Sequence, residues 1–232
     1  MNSTSLFGLY IAHRGLHNNE VVENSMLAFK RAVAKNISLE LDIHETKDGQ
    51  IIVFHDYDLK RMFNSNKTIK GSNYEDLNSF KYNDNTSIPL LKEVLAEVNS
   101  KVLVIIELKE VEDYKSLVNK TFDVLKDYQG EILLQSFCIK TIAYLKKKTN
   151  YQIGLLLPND YEKKFLFNKL YIFNILKPDY IGSSIKKLPN KLTIEARKRN
   201  IPVFVWTIKN KEELEKVKDY SDSFILDGEE LL

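Results

Sequence analysis

The stretch Ser38-Leu-Glu-Leu-Asp-Ile-His-Glu-Thr-Lys-Asp-Gly-Gln-Ile-Ile-Val-Phe-His55 decides how this chain folds. Its first half sets apolar residues at 39, 41 and 43 against polar ones at 40, 42 and 44, the period of two that gives a strand two distinct faces. Asp48-Gly49 is a hairpin-turn dipeptide, so the apolar run after it returns antiparallel to the first. With those two residues as the loop, Lys47 faces Gln50, paired positions sum to 97, and His55 falls opposite Asp42.

Outward from this hairpin, short β-branched runs recur at Leu9–His13, Ser38–Ile43, Val102–Leu108, Glu131–Ser136, Gln152–Leu157, Tyr180–Gly182, Val203–Thr207 and Ser223–Leu226. Between them lie helix-patterned segments: Met26–Ala34 capped by Asn24 or Ser25, Leu90–Val98 with Pro89 in its first turn, Tyr114–Asp127, Ile139–Lys148, Tyr161–Leu170, Lys191–Arg199 and Lys211–Lys218. Alternating strand and helix predicts parallel strands joined by right-handed crossovers. Eight units in 232 residues, about 29 each, suit a closed (β/α)8 barrel. An open doubly wound sheet is less favoured, because no glycine-rich G-x-G-x-x-G turn follows the first strand. The fold class is therefore α/β, a somewhat distorted TIM barrel with a β-hairpin and a small insertion, about residues 56–87, after strand 2, and the whole of 1–232 is expected to form one domain.

Composition narrows the function. The chain has 34 Lys+Arg against 32 Asp+Glu and a net charge of +2, too little basic field for nucleic acid to be a partner. A single cysteine, Cys138, forms no internal disulfide and no thiolate zinc cage, which suits a reducing cytoplasmic setting. No run approaches the ~18 apolar residues of a membrane span. The segment Met1–Ala12 lacks a basic n-region and a small-residue cleavage site and reads as mature protein with no stable membrane anchor. The dense apolar run Phe165–Phe173 reads as a buried helix, with a membrane-surface role as the alternative.

Two carboxylates on one face of an apolar strand, Glu40 and Asp42, call for a cation held by hard oxygen ligands, since burying them uncompensated is costly. Glu107 and Lys109, two apart at the end of the next barrel strand, bring a third carboxylate and an ammonium to the same rim. His13 ends the first strand and the hairpin returns His55 beside Asp42. Two imidazoles flanking a metal can divide proton transfer between base and acid. His44 shares the Glu40/Asp42 face but reads as structural, and His17 as an ordinary loop side chain. Arg14 offers a planar fork and Lys109 a point charge to an anionic phosphate. Trp206 ends the seventh barrel strand as an aromatic wall at the mouth, set to pack on substrate.

These residues stand in segments that together resemble the glycerophosphodiester phosphodiesterases, within the PI-PLC-like phosphodiesterase superfamily. The segments are His13-Arg14-Gly15, Glu23-Asn24-Ser25, Glu40-Leu41-Asp42, Thr46-Lys47-Asp48-Gly49, Val53-Phe54-His55-Asp56, Ile88-Pro89-Leu90-Leu91-Lys92-Glu93-Val94-Leu95, Glu107-Leu108-Lys109, Ser136-Phe137 and Val205-Trp206-Thr207. They follow the family's order and span nearly the whole chain. The resemblance implies hydrolysis of glycerophosphodiesters to glycerol 3-phosphate and an alcohol with one divalent ion, Ca2+ or Mg2+. It implies Glu40, Asp42 and Glu107 as metal ligands, His13 and His55 as the acid/base pair, Arg14 and Lys109 on the phosphate, and Asn24 as support for metal or substrate. Departures from the family pattern at Val22, Cys138 and Leu226-Asp227-Gly228-Glu229 leave the proposed ligands and histidines in place and bear on the substrate pocket. Two alternatives remain: a lysophospholipase-D-type activity on a lipid phosphodiester, and a non-catalytic phosphate-polyol binding barrel. A homodimer is left open by the sequence.

Overall fold

Strands that are apolar on both faces need cover on both, which a parallel sheet wrapped by helices provides. The structure, a computed structural model, describes residues 5–164 and 167–232. Its strands are β1 (Tyr10–Ala12), β2 (Ser38–Glu45), β3 (Ile51–Val53), β4 (Val104–Leu108), β5 (Ile132–Ser136), β6 (Gln152–Leu156), β7 (Tyr180–Ser184), β8 (Val203–Ile208) and β9 (Ser223–Leu226). All pairings except β2–β3 are parallel, and β1 joins both β2 and β9, which closes eight of the strands into a barrel. The expected (β/α)8 architecture and all eight expected barrel strands are present.

The helices are α1 (Met26–Ala34), α2 (Lys60–Phe63), α3 (Tyr74–Asn78), α4 (Leu91–Val98), α5 (Tyr114–Leu125), α6 (Ile139–Lys148), α7 (Lys191–Lys198) and α8 (Lys211–Val217). The Ser25 side chain caps α1 by accepting from Ala28 N at 3.2 Å, and α1 buries Ala28, Phe29 and Ala32 against the sheet. Pro89 lies ahead of α4 instead of in its first turn. Its carbonyl accepts from Val53 N at 2.9 Å, so the residue serves the hairpin edge.

The segment expected as a helix over 161–170 differs. Tyr161–Lys163 form one 3-10 turn, and a π-helical turn spans Tyr171–Leu176. The Asn168 side chain accepts from Tyr171 N at 2.9 Å and begins this new turn, so no continuous helix runs through. Phe167, Ile172 and Phe173 are buried, whereas Leu170 is 73 % exposed. Residues 165 and 166 of the apolar run lie outside the described residues, as do residues 1–4 of the N-terminal segment.

Strand parity separates two cores. Leu39, Leu41 and Ile43 of β2 and Val104, Ile106 and Leu108 of β4 face outward onto the helices. Ile11, Ile105, Leu133, Tyr180, Phe204 and Ile225 fill the lumen. Tyr180 stacks on Phe204 with centroids 4.2 Å apart, and a Cβ at Gly154 would stand 2.1 Å from the Tyr180 ring, so only glycine lets this plug sit across the barrel.

The hairpin register is one residue off the expectation. Ile43 pairs Val53, His44 pairs Ile52 and Glu45 pairs Ile51; the loop is Lys47-Asp48-Gly49, with Thr46 N donating to Gln50 O at 2.9 Å. Gly49 at φ +82° supplies the left-handed residue of a three-residue loop, and Asp48 accepts from the Thr46 hydroxyl at 2.6 Å and from Tyr74 N at 2.9 Å. Phe54, not His55, therefore lies opposite Asp42, its N–H donating to Asp42 O at 3.0 Å. His55 comes one residue later, past the end of β3, on the barrel rim. The insertion that follows packs Leu59, Ile69, Leu77 and Tyr82 against Ile52 and Phe54 of the hairpin in a small separate core.

Candidate active site

The barrel register sets the acidic residues side by side. Asp42 on β2 is level with Glu107 on β4, and Glu40 lies one inward position below, level with Ile105. One oxygen from each of Glu40, Asp42 and Glu107 lies within 4.8 Å of the other two, and the three residues are 2, 1 and 7 % exposed. Burial, with Asp42 and Glu107 adding their repulsion, drives the Glu40 carboxyl well above its ordinary value. Burial also raises Glu107, although Lys109 opposes it. Asp42 behaves oppositely: burial would raise it, but Lys109 and Arg14 together hold it far below the usual carboxylate range.

Lys109 is the internal counter-ion of this cluster. Its buried Nζ lies 2.7 Å from Asp42 Oδ1 and 2.7 Å from Glu107 Oε1. Asn24, at φ 53° just before α1, donates from Nδ2 to Asp42 Oδ2 at 2.8 Å. Arg14, at φ 55°, donates its backbone N–H to Glu40 Oε2 at 3.1 Å, while its guanidinium holds Glu23 at 2.7 Å and lies 3.5 Å from Asp42. A Cβ at Gly15 would meet that of Ala28 at 2.9 Å, so glycine after Arg14 lets the β1 loop turn tightly over α1. Below, Tyr180 OH donates to Gln135 Oε1 at 3.2 Å, and Gln135 Nε2 stands 3.5 Å from Glu40 Oε1, linking the lumen plug to the acidic cluster.

The two histidines stand on the rim with their Nδ1 atoms engaged. His13 Nδ1 is 2.7 Å from Asp227 Oδ1, and His55 Nδ1 is 2.6 Å from Asp56 Oδ1. A carboxylate on Nδ1 fixes the neutral imidazole as the Nδ1–H tautomer and leaves Nε2 as the free nitrogen. Burial lowers both histidines from their ordinary value, although the carboxylates pull the other way. Burial would raise Asp227 as well, but its hydrogen bonds to His13 and His17 hold it far below the carboxylate range. A wider ion-pair chain braces His55: Arg61 binds Asp56 at 2.6 Å and Glu23 at 2.6 Å, and Glu23 binds Arg14.

A cleft with about 440 Å³ of open space brings together His13, Arg14, Glu40, Asp42, His55, Glu107, Lys109 and Trp206, with Gln135 and Phe137. Trp206 meets Phe137 edge-on, centroids 5.7 Å apart. Arg14 Nε and Trp206 Nε1 are buried donors in this wall, and among the described residues neither has a hydrogen-bond partner. Asn24 stands behind Asp42, outside the lining. His44 is buried elsewhere, its Nε2 3.2 Å from the His55 carbonyl and its ring edge-on to Tyr57, so it steadies the rim. Asp227 and Asp56 escaped the sequence reading as partners of the histidines. Each does carry a signal, a carboxylate directly after a barrel strand or directly after a rim histidine. His17, read as an ordinary loop residue, stands 3.2 Å from Asp227.

Three buried oxygens of this kind, with one ammonium among three carboxylates, fit a hard divalent cation such as Ca2+ or Mg2+.

The profile of the Glycerophosphoryl diester phosphodiesterase family matches residues 13–227, from one partner of the His13–Asp227 pair to the other. A glycerophosphodiester phosphodiesterase of Caldanaerobacter subterraneus subsp. tengcongensis is 30 % identical over 97 % of this chain and 96 % of its own. The rat lysophospholipase D GDPD1 is 34 % identical over 53 % of this chain and 43 % of its own length. Among solved structures, an Oleispira antarctica phosphodiesterase in complex with the product sn-glycerol-3-phosphate superposes with a TM-score of 0.82 at 18 % identity, over 95 % of this chain and 93 % of that one. The chain belongs to the glycerophosphoryl diester phosphodiesterase family and is an enzyme of that class.

Proposed function

We propose that the chain hydrolyses glycerophosphodiesters to glycerol 3-phosphate and an alcohol by a metal-dependent reaction in which His13 and His55 carry the protons. The observation that carries this reading is the placement of two carboxylate-oriented imidazoles on one cleft with a buried three-carboxylate cluster. Glu40, Asp42 and Glu107 would hold one divalent cation, with Asn24 steadying Asp42. That ion supplies charge neutralisation at the non-bridging phosphate oxygens.

Trp206 Nε1 is an unmet donor in the cleft wall that a bound phosphodiester would satisfy, and Arg14, whose Nε lies 3.5 Å from Asp42 Oδ2, lines the same wall. Lys109, its ammonium shared between two carboxylates, fixes the acidic cluster and leaves its remaining N–H for the phosphate. One histidine accepts the proton of the attacking oxygen, either water or a glycerol hydroxyl of the substrate. The other, which the adjacent anionic phosphate favours in its charged form, donates a proton from Nε2 to the leaving alkoxide. Among the described residues no helix is long and apolar enough to cross a membrane, and the lone buried cysteine suits the cytoplasm, where we place the reaction.

The test is a coupled glycerol-3-phosphate assay over a panel of glycerophosphodiesters with Ca2+, Mg2+ or EDTA. Turnover that stops with EDTA and restarts with either ion supports the reading; undiminished turnover in EDTA refutes the metal requirement. A lysophospholipase-D-type reaction is the second reading, favoured by the likeness to rat GDPD1 and by exposed Leu170 and Ile175. Faster turnover of lysophosphatidylcholine than of glycerophosphocholine would select it.

A further inference from the structure

A second cluster of metal-ligating atoms stands at the rim, apart from the acidic one. His13 follows β1, His17 lies in the same loop, and Asp227 follows β9. One ligand atom from each lies within 4.8 Å of the other two. Asp227 Oδ1 is 2.7 Å from His13 Nδ1 and 3.2 Å from His17 Nε2. The side chains are 16, 22 and 24 % exposed in the order His13, His17, Asp227, so an ion can reach them from solvent.

The donor set is chemically unlike the first. Two imidazoles and one carboxylate suit a borderline ion such as Zn2+ in a four-coordinate site with one open position, whereas three carboxylates suit Ca2+ or Mg2+. We infer that His13, His17 and Asp227 form a second metal site that binds Zn2+ and shuts the enzyme off by capturing His13.

The chemistry of capture follows from the tautomer. In the metal-free protein Asp227 holds the His13 proton on Nδ1, so Nε2 is the nitrogen that faces proton transfer in the cleft. Zn2+ binds through the Nδ1 lone pair. At His13 the Nδ1 proton is given up to water and Nε2 takes one from water, while at His17 the Nε2 proton is given up and Nδ1 takes one, so the site binds with no net change in protons and no redox step. His13 is then neutral with Nε2–H toward the cleft: it has no lone pair there to accept a proton and cannot become the charged form that donates one, so either proton-transfer role is lost. Inhibition thus rests on the proton-transfer role proposed for His13; binding rests on the cluster geometry alone.

Purified enzyme in excess Mg2+, which keeps the acidic site filled, is titrated with Zn2+ by calorimetry and in parallel by turnover. The wild type is expected to bind one Zn2+ per chain and to lose turnover along the same curve. His17→Gln removes one ligand and is expected to weaken binding at least tenfold, moving its inhibition curve, taken relative to its own zinc-free rate, by the same factor. Thermal unfolding of the variant without zinc verifies that it is folded, and Asp227→Asn, expected to weaken binding as well, serves in its place if it is not. Identical zinc titrations for wild type and variant overturn the site. A full equivalent bound with turnover untouched overturns the capture of His13, while the binding isotherm stands independent of any catalytic reading.

Discussion

Replacing Lys109 by methionine keeps most of the side-chain volume and deletes the one ammonium buried among the carboxylates. In the wild type that ammonium lies 2.7 Å from both Asp42 and Glu107, which are 1 and 7 % exposed. Removing one partner of a buried ion pair costs about 3–5 kcal/mol, because the remaining charge keeps its desolvation penalty without the compensating attraction. For a chain of this size 1 kcal/mol moves Tm by about 2–4 °C, so Lys109→Met is expected to melt roughly 6–20 °C lower in EDTA. A divalent cation on the same carboxylates replaces the lost charge, and saturating Ca2+ or Mg2+ is expected to close most of that gap. The pH dependence has a definite sign. Asp42, held below its ordinary 3.8 by Lys109 and Arg14 against the effect of burial, contributes stability above that value that disappears on acidification. The difference between wild type and variant is therefore full above about pH 4 and narrows as pH falls below it. Circular dichroism melts of both proteins in EDTA, Ca2+ and Mg2+ measure it. Equal Tm values in EDTA, or a gap that neither ion narrows, would refute the counter-ion reasoning and the three-carboxylate metal site with it.

His13→Ala and His55→Ala are each expected to lower kcat by about 10²–10⁴-fold in the glycerol-3-phosphate assay while the melting curve stays cooperative, and near wild-type turnover by either would remove that residue from proton transfer. Trp206→Ala is expected to raise KM more than it lowers kcat, because the indole forms a wall of the cleft; steady-state kinetics decide, and a fall in kcat alone would argue against the wall. His44 is pushed from 6.5 to about 4 by burial, so its neutral form stabilises the fold fully above pH 6.5 and progressively less as pH falls toward 4. Over that window it accounts for a loss of about 3 kcal/mol, and urea titrations of the metal-free protein at pH 7 and 5 should show a shallower acid slope in His44→Phe than in wild type.

The barrel was legible because its signals are local. Each strand is a contiguous β-branched run, and the parity of Glu40, Asp42 and Glu107 follows from strand geometry once the strands are assigned. The one-residue register error in the hairpin came from treating Asp48-Gly49 as the complete loop. Bonds to the Asp48 side chain from the hydroxyl of Thr46, the residue just before the loop, and from the backbone of Tyr74, 26 residues on, favour a longer one. Asp227 reaches His13 across 214 residues, a pairing that exists only once the barrel closes. The π-helical turn at Tyr171–Leu176 depends on an asparagine competing for a backbone N–H, which apolar periodicity does not register. Lys109 could be placed near a phosphate from its position, but its bond to Asp42 needed the lateral registry of β2 and β4.

The stacked Tyr180 and Phe204, let in by Gly154, turn a hollow cylinder into a cup. A cup has a single doorway, so reactants arrive and both products depart through the opening ringed by His13, His55 and Trp206. Substrate entry and product exit then share that one passage.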